Sequence, residues 1–140
     1  MSTITKQTQE VLLKPKQVKT YTYEQVLESS ISYFNGDELA ATTWMNKYAM
    51  KDGNGAFVEL SPNDMHKRMA KEFGRIEADY KLKYNLNGSA KFLSKYGQER
   101  EDLTEEKIYN YFKEFGYIIP QGSVMSSLGN HYKLASLSNC

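Results

Sequence analysis

The sequence predicts a mainly α-helical fold with an extended segment towards its C-terminal end, and three observations carry that expectation. Apolar residues recur at three- and four-residue spacing in several stretches. Each of these stretches opens on a residue suited to cap a helix, and the apolar runs without helical spacing are short. At 140 residues the chain is about one domain, long enough to bury roughly two thirds of the surface its unfolded form exposes.

Residues 1–19 mix Thr, Gln and Lys, with Val11, Leu12 and Leu13 as the one apolar run, and read as a flexible tail. Thr22 followed three residues later by Gln25 forms a capping box, and Val26, Leu27, Ile31 and Phe34 continue it as a first helix over 23–34. Asn35-Gly36 stops that helix. Asp37 then caps a second one with Leu39, Ala40, Ala41, Trp44, Met45 and Tyr48 on its apolar face, so the pair is expected to form a hairpin. Lys51 to Gly55 is a turn, and Phe57 to Leu60 a short extended piece.

Ser61-Pro62-Asn63-Asp64 supplies a cap, a proline at the first helical position and an acid in the first turn. The helix it opens has Met65, Met69, Phe73 (or Glu72), Ile76 and Tyr80 as its buried stripe, with Lys67, Arg68, Lys71, Arg75 and Glu77 on a solvated face. Residues 81–100 are polar and broken by Asn87-Gly88-Ser89 and Gly97, which leaves room for one short helix in a surface excursion. Thr104 caps the next helix, Leu103 and Ile108 can form a hydrophobic staple, and Gly116 closes it after Tyr109, Phe112 and Phe115. Beyond it, Tyr117 to Pro120 reads as extended and Gln121 to Asn130 as a Gly- and Ser-rich loop.

Apolar residues make up 40% and charged residues 25% of the chain, as in ordinary globular proteins. With 18 basic and 17 acidic residues interspersed, the formal net charge is +1, too little to gather nucleic acid or an anionic membrane. No apolar stretch approaches the roughly 20 residues that span a bilayer, and residues 1–19 lack the apolar core of a secretory signal. A cytoplasmic location is the expectation. The single cysteine, Cys140, can form neither an internal disulfide nor a multi-cysteine metal site.

Little chemistry follows from isolated residues. His66 and His131 have no second ligand at metal spacing, so no metal site is expected, and His66 reads as a surface or interface residue. Asp37-Glu38 and Glu105-Glu106 sit at helix starts, where they serve as caps. The amides and hydroxyls of residues 122–130 suit a phosphate, but without the Walker lysine or a dinucleotide fingerprint the segment reads as a plain loop. Cys140 alone declares no reactivity, which depends on a lowered thiol pKa or a redox partner.

Short blocks in order add what composition does not. Residues 35–41 (NGDELAA), 44–49 (WMNKYA) and 61–68 (SPNDMHKR) resemble the N-terminal region of ribonucleotide reductase large subunits. Residues 117–123 (YIIPQGS), Gly129-Asn130 and 136–140 (SLSNC) resemble the approach to the first active-site cysteine of the same family. The likeness spans about residues 20–140 and looks nearest the branch shared by adenosylcobalamin-dependent and compact metal-dependent enzymes.

The resemblance implies three regions: a tail over 1–19, a helical N-terminal domain over 20–116, and the start of a ten-stranded α/β barrel over 117–140. It implies thiyl-radical reduction of ribonucleotides, with Cys140 as the first of two cysteines that become a disulfide. Ser123 matches a residue near the substrate diphosphate, and Ser138 and Asn139 match the strand that carries the cysteine to the substrate. The second redox cysteine and the radical cysteine belong further along the barrel, so the 140-residue chain is expected to be inactive alone. Without barrel partners, residues 122–140 are also expected to lack fixed structure.

The radical would come from adenosylcobalamin or from a separate metal-containing subunit, and diphosphates or triphosphates remain open as substrates. ATP and deoxynucleotide effectors are implied for the full subunit, together with homodimer formation and a radical-generating small subunit as a further partner. The tail is expected to be too short for a nucleotide-binding cone. The stop at Cys140 is compatible with a split gene, an incomplete gene, an engineered fragment or an intein junction. Two other readings are a stand-alone helical interaction module and one half of a split reductase.

Overall fold

The computed structural model describes residues 18–86 and 94–132. These residues form helices and connecting turns, with isolated β-bridges but no strand among them. Residues 1–17, the Asn87-Gly88-Ser89 break and the segment from Lys133 to Cys140 lie outside the described residues.

Helix α1 (Tyr23–Tyr33) begins with the expected capping box: Gln25 N–H donates to Thr22 Oγ1 at 3.3 Å and Thr22 N–H donates to Gln25 Oε1 at 3.0 Å. It ends where Asn35 and Gly36 turn left-handed, at φ of 55° and 94°. That turn lets the Gly36 N–H reach back to the Ile31 carbonyl at 2.9 Å. Asp37 caps α2 (Glu38–Lys47) by accepting the Ala40 N–H at 2.9 Å, and α2 packs back on α1 as the expected hairpin. In the following turn Asp52 Oδ1 accepts from both Asn54 and Ala56 N–H at 2.9 Å. Phe57 bridges Tyr21 on one side and Lys51 on the other.

Helix α3 (Pro62–Leu86) extends past the point where polar composition suggested an excursion, because no glycine or proline interrupts residues 81–86. Its buried stripe is Met65, His66, Met69 and Ala70. Two residues expected on that stripe are only partly covered, Phe73 at 37% and Tyr80 at 55% exposed, since their end of α3 has fewer neighbours to pack against. His66 is fully buried, contrary to the surface placement read from its isolation in the sequence. Helix α4 (Lys95–Glu99) is the expected short one, capped by Ser94 Oγ on Gly97 N–H at 3.1 Å. Arg100 pairs with Glu77, and Lys81 with Asp102, fastening this region to α3.

Helix α5 (Glu105–Phe112) is capped by Thr104, packs along α3 and continues into a 3-10 turn over Lys113–Phe115. The left-handed residues that end it are Glu114 and Phe115, at φ of 55° and 54°. Gly116, which the sequence nominated for that task, is right-handed at φ −71°. Phe115 is drawn back onto the His66 ring at 4.6 Å between centroids, so packing places the strained residues just ahead of Gly116.

Helix α6 (Gly122–Ser127) occupies the segment read as a loop. Met125 on α6 joins the buried cluster formed by Val26 of α1, Trp44 and Met45 of α2, Met65 and Met69 of α3, and Ile108 and Phe112 of α5. Packing is therefore continuous across residues 116–117. At the centre of the cluster the Trp44 indole N–H points at the Met65 sulfur, 3.3 Å away.

Candidate functional site

Helix α6 is the part of the described chain where a sequence-assigned site residue can be placed, and a helix of six residues does not hold itself together in water. Its position comes from its neighbours. At its start, Gly122 lies so close to α2 that a Cβ there would sit 3.0 Å from Tyr48 Cε1. In its middle, Met125 reaches into the core.

At its end, Arg68 of α3 donates from Nη2 to the Met125 carbonyl at 2.8 Å and from Nη1 to the Leu128 carbonyl. The two remaining carbonyls of that turn are also met. Asn130 Nδ2 donates to Ser126 O at 3.1 Å, and Asn130 N–H donates to Ser127 O at 2.9 Å. A cation over these carbonyls complements the negative end of the helix.

Arg68 is itself held by Glu59. Its Nε donates to Glu59 Oε1 at 2.7 Å, while Glu59 Oε2 accepts the Met50 N–H at 2.7 Å. Both side chains are out of water, at 8% and 3% exposed, so each charge depends on the other for its solvation. This corrects the reading of Arg68 as part of a solvated face. Gly129 completes the arrangement: its φ is +71°, and a Cβ on it would lie 3.0 Å from Arg68 Cγ and 3.3 Å from Glu72 Cβ.

Ser123 is the second residue of α6. Its Oγ is buried and has no hydrogen-bond partner among the described residues, while its carbonyl accepts from Ser126 Oγ at 3.2 Å and Ser127 Oγ at 2.5 Å. A buried hydroxyl with its donor unused is a group that costs free energy until something accepts from it. Ser138, Asn139 and Cys140 lie outside the described residues, so of the four sequence-assigned positions Ser123 is the one placed.

Beside α6, an apolar hollow of about 460 Å³ opens between α3, α5 and residues 118–124, with Phe73, Ile76, Leu103, Tyr111, Ile118 and Val124 on its walls. Leu103 and Ile108, the two residues of the expected staple, both line it. Within the core, His66 lies among Tyr33, Phe112 and Phe115. Its Nδ1 has a long 3.5 Å contact to the Tyr33 hydroxyl, and its Nε2 has no partner among the described residues. Burial pushes its pKa down to about 4, so the ring is neutral at ordinary pH.

The sequence reading missed Arg68 and Glu59. A signal was present, because Met65, Arg68, Met69 and Glu72 fall at three- and four-residue spacing and share a face. Formal charge concealed it, since Arg is rarely placed inside without a visible partner.

Residues 34–131 match the model of the ribonucleotide reductase all-alpha domain, which belongs to the large subunit. The chain belongs to that family. Neither the curated proteins nor the solved structures gave a match. The reductase all-alpha domain accounts for the helical architecture and takes in α6 with Ser123, since the match runs beyond Asn130. No helix among the described residues is long and apolar enough to cross a membrane.

Proposed function

We propose that this reductase chain acts as the N-terminal part of a catalytic subunit that converts ribonucleotides to deoxyribonucleotides. The observation that carries the proposal is the all-alpha domain match over residues 34–131, followed in sequence by Ser136-Leu137-Ser138-Asn139-Cys140. In the proposed reaction a thiyl radical removes the ribose 3′ hydrogen and the 2′ hydroxyl leaves as water. Two cysteine thiols supply two electrons and two protons by becoming a disulfide. Cys140 is one of those thiols, Ser123 faces the substrate diphosphate, and Ser138 and Asn139 bring Cys140 to the nucleotide.

The other thiols belong to the barrel, and the 140-residue chain is inactive without it. The exposed run Tyr117, Ile118 and Ile119 supports docking of that barrel against the helical domain. Among the described residues no group of three His, Cys, Asp or Glu could hold a metal ion. The radical source, adenosylcobalamin or a metal-containing small subunit, is in the same proposal supplied from outside these residues. Homodimer formation and binding of ATP and deoxynucleotide effectors belong to the full subunit in the same proposal.

The test is turnover by the subunit that continues from Cys140 into its barrel, supplied with ribonucleotide, a dithiol reductant and each radical source in turn. Deoxyribonucleotide should form, and Cys140→Ser should abolish multiple turnover while leaving nucleotide binding. The 140-residue chain alone should form none. Undiminished turnover by Cys140→Ser, or turnover by the isolated chain, would overturn the assignment.

A further inference from the structure

We infer that Arg68, gripped by Glu59, is a positioning residue that sets the place of α6 and thereby the aim of the Ser123 hydroxyl at the substrate phosphate. The inference rests on the reductase reading and adds to it a residue that the resemblance assigned no role. Three observations carry it. First, α6 is too short to be helical without tertiary support, and Arg68 supplies two of the hydrogen bonds to its last carbonyls.

Second, the guanidinium is not free to move. Its Nε is committed to Glu59, and Glu59 is committed in turn to the Met50 amide, so α6 is referenced to α3 and to the turn after α2 at once. An arginine fork can serve a carboxylate and two carbonyls together, whereas a lysine ammonium presents one compact charge. Third, Gly129 provides the space in which the Arg68 stem lies, at a φ of +71° that other residues rarely adopt. At the other end of the same helix the Ser123 Oγ is buried and unpartnered among the described residues, so its hydrogen bond is still to be given.

A phosphate oxygen is a suitable acceptor, and hydrogen-bond geometry tolerates only a few tenths of an ångström. Moving α6 therefore weakens the contact without removing any group that touches substrate. The effect falls on nucleotide binding, because the cysteine chemistry lies elsewhere.

The experiment uses the full subunit and compares Arg68→Lys, Gly129→Ala and Ser123→Ala, singly and with each of the first two combined with Ser123→Ala. Arg68→Lys alters the clamp from within and Gly129→Ala crowds it from outside, so one remains informative if the other fails to fold. Each single variant should raise KM for the nucleotide on the order of tenfold with kcat changed far less, as expected for a misplaced binding group. In the double variants Ser123→Ala should add almost nothing, because its hydroxyl is already misdirected.

Additive effects would overturn the inference, as would variants that lose thermal stability with KM unchanged, since both make the clamp merely structural. Failure of the unmodified subunit to reduce any ribonucleotide would instead remove the reductase reading and the inference with it. That outcome is distinguished by the wild-type control.

Discussion

His66 is the residue at which physical chemistry makes the sharpest demand. An imidazole sealed among Tyr33, Phe112 and Phe115 cannot take up a proton without stranding a charge away from water. Below about pH 6.5 the unfolded chain protonates this histidine, whereas the folded chain refuses the proton until about pH 4. Stability therefore falls as pH drops through that interval and levels off beneath it, with a total loss of about 3 kcal/mol.

The carboxylates of Glu72, Glu101 and Asp102 are held below their ordinary values by hydrogen bonds from Arg75, Lys107 and Lys81. The interval from about pH 6.5 to 4 carries the His66 contribution. Urea midpoints measured across it should slope downward towards acid in the natural chain and less steeply in His66→Phe. A slope unchanged by the substitution would refute this account. The sequence could not reveal the burial, because what encloses His66 comes from α1, from α5 and from the turn after it, far away along the chain.

At the scale of elements, what is local was legible. The Thr22 box, the Asp37 cap, the Asn35-Gly36 stop and the Thr104 cap each depend on residues close together in sequence, and all four are present. Thr22→Ala should consequently cost about 1 kcal/mol, read as a lower urea midpoint, with Thr22→Ser restoring most of it. No change would mean that packing alone holds the start of α1.

What was not legible is equally specific. Helix α6 has the composition of a loop and owes its form to Met125 and to the Arg68 clamp, both contacts with other elements. The end of α5 was assigned to Gly116, and the Phe115 contact with His66 moved it to less accommodating residues. Where a conformation is decided by a neighbour distant in sequence, a window of local residues carries no record of it.

At the scale of the whole molecule, α1, α2, α3, α5 and α6 share one buried cluster, and Trp44 on α2 is its largest member, in contact with Met65 through the indole N–H. Removing that side chain should cost about 3–5 kcal/mol, much of the 5–15 kcal/mol that holds a domain of this size together. Trp44→Ala should thus be largely unfolded by circular dichroism at a temperature where Trp44→Phe remains helical. A fully folded Trp44→Ala would show that the cluster is divided. The family was legible because it is written in short blocks whose order survives without knowledge of packing, and the match over residues 34–131 agrees with it.

The same cluster has a consequence for the chain's exposure to oxidants. Four of the six methionines, Met45, Met65, Met69 and Met125, are shut inside it. Peroxide can convert a thioether to a sulfoxide only where it can reach the sulfur, and a sulfoxide at any of these positions would insert a polar group into the packing. Each of the four is therefore spared while the helices stay closed and becomes vulnerable when they part. Their oxidation accumulates as a chemical tally of how often the domain has opened.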